Sequence, residues 1–223
     1  DGSDTVYFCG NSLGLQPKST RAYIEQELQD WQNFGVEGHF HAQNPWMPYH
    51  EFLTPSLARL TGAKESEVVA MGSLTANLHF ALASFFRPTA ERPCILAEAK
   101  AFPSDRYALV SQLQQHGYGE AELIEVHGTG SDGVPTDEDL LAAIERHGHR
   151  ICTMLVGGVN YFTGRVYDMA RLTAAARAKG ILVGWDLAHA MGNVPLKLHD
   201  WGADFAAWCS YKYLNSGPGS TAG

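Results

Sequence analysis

The chain predicts an α/β fold: a mostly parallel sheet covered by helices on both faces. Three observations carry that prediction. Short apolar runs recur from about residue 64 onward, helical patterns fall between them, and the runs are apolar nearly throughout. Strands buried on both faces read as continuous apolar segments, and parallel neighbours need a crossover that is usually a helix.

The elements follow in order. Residues 17–34 predict a helix with Ile24, Leu28 and Trp31 as its apolar positions, and 49–60 predict a second. Between them lies a His-, Gly- and aromatic-rich loop, 35–48. A helix over 75–86 leads to a strand at 94–97. Pro103 opens a helix over 103–116, because proline at a first turn forfeits no hydrogen bond. A strand at 122–126 precedes a helix over 137–147, capped by Thr136 with Asp139 three residues on and ended at Gly148. After a strand at 151–156, Asp168 caps an Ala-rich helix that closes at Lys179-Gly180, where a cation suits the helix dipole. A strand at 181–185 and a weaker one at 204–208 complete the series.

Composition narrows the functional classes. The chain has 223 residues, 45% hydrophobic and 18% charged, ordinary for a globular protein with a sizeable core. A net charge of −8 argues against nucleic acid as the main partner. Four dispersed cysteines without a C-x-x-C pair suggest free thiols in a reducing compartment, and no apolar stretch is long enough for a membrane span. With no secretory signal ahead of Val6, a cytoplasmic enzyme is expected, and both ends look cut from a longer protein. His39-x-His41 and His147-x-His149 have no convincing third metal ligand, and neither a nucleophile elbow nor a P-loop pattern is present.

The chemistry concentrates in two stretches, Gly184-Trp185-Asp186-Leu187-Ala188-His189 and Ser210-Tyr211-Lys212-Tyr213-Leu214-Asn215. A lysine in an aromatic turn, preceded by an acid ending an apolar run, suggests a pyridoxal phosphate (PLP) site. The amine condenses with the aldehyde, and the acid keeps the pyridine nitrogen protonated. The pair alone is equally compatible with a structural acid and a solvated lysine. Gly72-Ser73-Leu74-Thr75-Ala76-Asn77 suits a phosphate through backbone N–H groups and the Thr75 hydroxyl, or serves as a plain helix cap. Phe102 can lie on a pyridine ring or in the core, with Ser104 and Asp105 capping the next helix. His189 flanks the ring or is structural.

Five blocks together resemble the kynureninase family, within the aspartate-aminotransferase-like superfamily. They are Asn11-Ser12-Leu13-Gly14-Leu15-Gln16-Pro17, Leu74-Thr75-Ala76-Asn77-Leu78-His79, Ala99-Lys100-Ala101-Phe102-Pro103-Ser104-Asp105, Asp186-Leu187-Ala188-His189-Ala190 and Trp208-Cys209-Ser210-Tyr211-Lys212-Tyr213-Leu214-Asn215. The resemblance implies the large domain of a fold-type-I PLP enzyme, with the carboxy-terminal small domain absent. It implies an amino-terminal helix and active-site loop segment at 1–48 and a PLP-binding domain at 49–223. Lys212, Asp186 and Tyr211 are then catalytic. Leu74, Thr75, Phe102, Pro103, Ser104, Asp105, Gly157, Asp186, His189, Tyr211 and Lys212 bind the cofactor, and Ser12 and His39 lie near the substrate's aromatic ring. Gly157 departs from the family, which often has Ser or Thr there; its backbone N–H is expected to substitute at the phosphate. The implied reaction is hydrolysis of kynurenine or 3-hydroxykynurenine in tryptophan catabolism, by a homodimer whose 35–48 loop approaches its own or a neighbour's site. A cysteine desulfurase-like lyase is the rival, though none of the four cysteines sits in an obvious exposed loop. A catalytically incomplete fragment is the third reading.

Overall fold

Apolar runs at Cys94–Glu98 (β1), Leu123–Val126 (β2), Ile151–Gly157 (β3), Leu182–Asp186 (β4) and Phe205–Ala207 (β5) form one sheet in a computed structural model that describes residues 2–223. The strand order is β2-β1-β3-β4-β5 and every pairing is parallel. Helices cover both faces because the pleat sends alternate side chains to opposite sides. On one face Ile95, Ala97 and Leu155 pack with Leu78 and Leu82 of Leu74–Phe85 (α4) and with Leu109 and Leu113 of Pro103–Gln115 (α5). On the other, Leu96, Met154, Val183 and Trp185 meet Leu140 and Ile144 of Asp137–His147 (α6) and Leu172 and Ala176 of Met169–Ala178 (α7).

The expected caps at Thr136 and Asp168 form: the Thr136 hydroxyl accepts from the Asp139 N–H, and Asp168 accepts from the Arg171 N–H. Three strands run one residue past their apolar stretch, to Glu98, Gly157 and Asp186. That extension places polar groups at the carboxyl ends of β1, β3 and β4. The strand order reverses between β1 and β3, which is where open α/β sheets bind ligands.

The amino-terminal part departs from expectation. Its first helix, Thr20–Phe34 (α1), starts after Pro17 rather than at it, because Pro17 O accepts the Thr20 N–H in a turn. The expected loop at 35–48 holds a 3-10 turn, Gly35–Glu37, and a short helix, Gly38–His41 (α2). The expected helix at 49–60 splits into a 3-10 turn, Tyr49–Glu51, and Thr54–Thr61 (α3), with Pro55 in the first turn of α3 where its missing N–H costs nothing. A final short helix, Leu198–Trp201 (α8), precedes β5. Residues 222 and 223 bond across to both sides: Trp208 donates to Gly223 O at 2.9 Å and Met71 to Ala222 O at 3.0 Å.

Candidate active site

Asp186 is the last residue of β4, 7% exposed, and its carboxyl accepts the Ala188 N–H at 2.7 Å. Asp105, in the first turn of α5, is equally buried and hydrogen-bonded to Asp186. Burial raises the Asp105 pKa, and the neighbouring Asp186 charge raises it further, which favours a protonated Asp105 carboxyl beside Asp186. This corrects the expectation that Ser104 and Asp105 cap α5. Phe102 occupies the cap position without a side-chain bond, and Ser104 Oγ instead donates to Asp105 Oδ1 at 3.3 Å. Pro103, at the first turn, has no N–H that needs a cap.

Lys212 lies in the loop after β5, half-buried, with Nζ 3.0 Å from His189 Nε2 and 5.9 Å from the ring centroids of Phe102 and Tyr211. An ammonium donating to Nε2 requires a neutral imidazole. Burial, and then the Lys212 charge, lower the His189 pKa in that direction. The Tyr211 hydroxyl is pushed up to about 12, chiefly by burial, so it serves as a hydrogen-bond donor and holds its proton.

These groups face a cavity of about 540 Å³ at the carboxyl ends of the central strands. Of the residues predicted from sequence, Ser12, Leu74, Thr75, Phe102, Ser104, Asp105, Gly157, Asp186, His189, Tyr211 and Lys212 line it. Pro103 does not line it; nor does His39 of α2, whose Nδ1 is 2.8 Å from Val36 O and whose ring stands edge-on to Trp46. At the start of α4, which also lines the cavity, Ser73 caps the helix by accepting the Ala76 N–H at 3.4 Å. Helix N-termini present free N–H groups to anions.

The expected service of the Gly157 N–H is corrected. It donates to Glu98 Oε1 at 3.1 Å and is not free for a phosphate. Glu98, 4% exposed, also accepts from Asn160 Nδ2 at 2.9 Å and from the Tyr167 hydroxyl at 2.8 Å. Burial raises its pKa and these three donors oppose the rise. The segment so pinned carries Tyr161, which lines the cavity with its ring edge-on to Phe102 at 5.2 Å. Sequence reasoning missed Asn11, Glu98, Val159, Tyr161 and Ala188 as lining residues. Glu98 carried a signal, an acid ending an apolar strand beside the switch point; Tyr161 carried none.

The donor set fits PLP. Lys212 offers an amine for the aldehyde, and the Asp186 carboxyl at the end of β4, beside Asp105, suits the ring nitrogen. Phe102 offers a ring face, and the start of α4 suits the phosphate.

Comparison with known proteins agrees. The family model for class-V aminotransferases matches residues 6–221. The chain belongs to that family. The class-V family is PLP-dependent. Among its relatives, a kynureninase from Koribacter versatilis is 56% identical over 100% of this chain and 53% of its own length. One from Myxococcus xanthus is 53% identical over 100% of this chain and 53% of its own length, and one from Nematostella vectensis 52% over 99% and 48%. The chain therefore spans about half the length of the curated relatives it matches. Among solved structures, a cysteine desulfurase from Thermococcus onnurineus superposes with a TM-score of 0.75 at 19% identity, over 97% of this chain and 52% of that one. An alanine–glyoxylate aminotransferase from Nostoc gives 0.60 at 22% identity, over 76% and 42%. At those identities the likeness concerns the fold alone.

Proposed function

We propose that the chain is the PLP-holding part of a hydrolase that cleaves the Cβ–Cγ bond of L-kynurenine or 3-hydroxykynurenine, giving L-alanine and an anthranilate in tryptophan catabolism. The observation that carries this is the meeting of Lys212, His189 and the Asp105–Asp186 pair in one cavity, in a chain 52–56% identical to three kynureninases. When bound, PLP supplies an electrophilic aldehyde and a ring that withdraws electrons from the substrate α-carbon.

The residues divide the remaining work. Asp186 holds the ring N–H, and Asp105 steadies Asp186 by donating to it. Lys212 Nζ takes and returns the proton at the α-carbon, with His189 Nε2 3.0 Å away to accept its hydrogen bond and orient it. Tyr211 and Thr75 would hold the phosphate, and Phe102 would offer its ring face to the cofactor ring. Asn11 and Ser12 line the cavity wall, and the reading assigns Ser12 to the substrate's aromatic end.

The reading divides the chain into the amino-terminal segment 1–48 and the PLP domain 49–223. It includes a homodimer, supported by the exposed Ile24, Leu28 and Trp31 of α1. It also includes a reducing, cytoplasmic setting, supported by the buried free thiols of Cys94, Cys152 and Cys209. Among the described residues no helix is long and apolar enough to cross a membrane. Cys9 is exposed, contrary to the sequence expectation, so the desulfurase alternative is met by assay. The protein loaded with PLP should turn L-kynurenine into fluorescent anthranilate and release no sulfide from cysteine. Sulfide without anthranilate would reverse the assignment.

A further inference from the structure

The wall residues Asn11 and Ser12 belong to a turn with its own internal bonds. The Ser12 and Leu13 N–H groups donate to Cys9 O at 2.9 and 3.1 Å, and the Tyr7 hydroxyl donates to Leu13 O at 2.7 Å. The bond that ties this turn to the catalytic loop comes one residue later, where the Gly14 N–H donates to Tyr211 O at 2.7 Å. Gly14 lies hard against that loop. A Cβ added there would overlap Lys212 O and Asn215 Oδ1 and come within 2.8 Å of Asn215 Cα. Two of those three atoms are backbone, and the backbone is already constrained: Asn215 is left-handed, at φ 56°, with its N–H donating to Lys212 O at 3.2 Å. Gly10, in the same turn, has nothing within 4 Å of a built Cβ. Glycine is thus demanded at 14 and merely permitted at 10.

We propose that Gly14 is a positioning residue. Its missing side chain lets the turn carrying Asn11 and Ser12 register, backbone to backbone, on the loop carrying Lys212. The wall that meets the substrate's far end and the amine that meets the cofactor then stay in fixed relation. The proposal rests on the PLP reading above and adds a residue to it.

The test pairs Gly14→Ala with Gly10→Ala, two substitutions with similar effects on the unfolded chain and different neighbours. Hydrogen–deuterium exchange read by mass spectrometry should speed about tenfold or more in both 11–16 and 209–216 for Gly14→Ala, and stay at the wild-type rate for Gly10→Ala. With the visible PLP band retained, KM for L-kynurenine should rise roughly tenfold in Gly14→Ala while kcat changes less. In the wild type, adding PLP should slow exchange in both segments together. Exchange in Gly14→Ala that matches Gly10→Ala would overturn the proposal, and so would PLP protection confined to 209–216. The second measurement needs no variant, so it decides the matter even if Gly14→Ala does not fold. A wild type that forms no PLP band would instead count against the cofactor reading, leaving the exchange comparison of the two variants to judge Gly14.

Discussion

The two regions that build the cavity follow opposite rules. The sheet region buries its apolar side chains and ends its strands in polar groups, with Leu82, Ile95 and Trp185 fully buried. In α1 the apolar Ile24, Leu28 and Trp31 are 57%, 51% and 67% exposed, while Asp30 is buried. Asp30 accepts the Gln43 N–H at 2.9 Å, and Glu27 accepts from Asn44 and Trp46. The sheet region thus holds itself together by its own core. The amino-terminal segment is held together internally by these polar bonds, meets the catalytic loop through the Gly14 N–H to Tyr211 O bond, and leaves its apolar stripe exposed. The residues proposed as catalytic come from the first region, and wall residues Asn11 and Ser12 come from the second.

Substitutions can break that contrast. Leu82→Ala, in the sheet core, should cost about 3 kcal/mol in a denaturant titration, through lost burial and a residual cavity. Leu28→Ala, matched in chemistry but exposed on α1, should change stability of the monomer by less than about 0.5 kcal/mol. Equal losses would show that α1 belongs to the core. Asp30→Ala should cost about 1–2 kcal/mol, because the Gln43 N–H is left without its partner. A neutral result there would remove the claim that polar contacts fasten this segment.

A smaller, pH-dependent effect sharpens the other side of the comparison. Asp105 is held above its ordinary value, so the folded apoprotein keeps a proton that the unfolded chain releases at the usual Asp value of about 4. Its contribution is full below that value and is lost as pH rises through the raised one. Stability of the apoprotein should therefore decline as pH rises from about 4 to the raised value of about 9, and Asp105→Asn, neutral at every pH, should flatten the decline. An unchanged slope would mean that Asp105 is not the proton-bearing partner.

How legible each region was from sequence follows from the same contrast. Strands buried on both faces announce themselves by unbroken apolarity, so all five were found, and the Thr136 cap was readable because its partners lie three residues apart. Strand ends were misjudged by one residue at Glu98 and Asp186 because their polarity serves the site rather than the sheet. The stripe on α1 looked like a core face, and nothing local could reveal that its buried side carries Asp30. The contacts that Glu98 makes and the demand for glycine at 14 were unreadable for a related reason. Their partners, Asn160 and Tyr167 for one and Tyr211 and Asn215 for the other, are brought close only by the fold. Lys212, Asp186 and the Phe102 block were legible through resemblance, which transfers positions but not contacts. That is why the capping role expected of Asp105 had to be replaced by its pairing with Asp186.

The central claim is that the Lys212 amine captures the PLP aldehyde within the cavity that also holds Asp186. Borohydride reduction of the PLP-loaded protein, followed by peptide mass mapping, tests it directly. The account predicts a phosphopyridoxyl group on Lys212 alone, and loss of both the label and the visible band in Lys212→Ala. Label spread over Lys100, Lys179 and Lys197, or a band that survives Lys212→Ala, would contradict it.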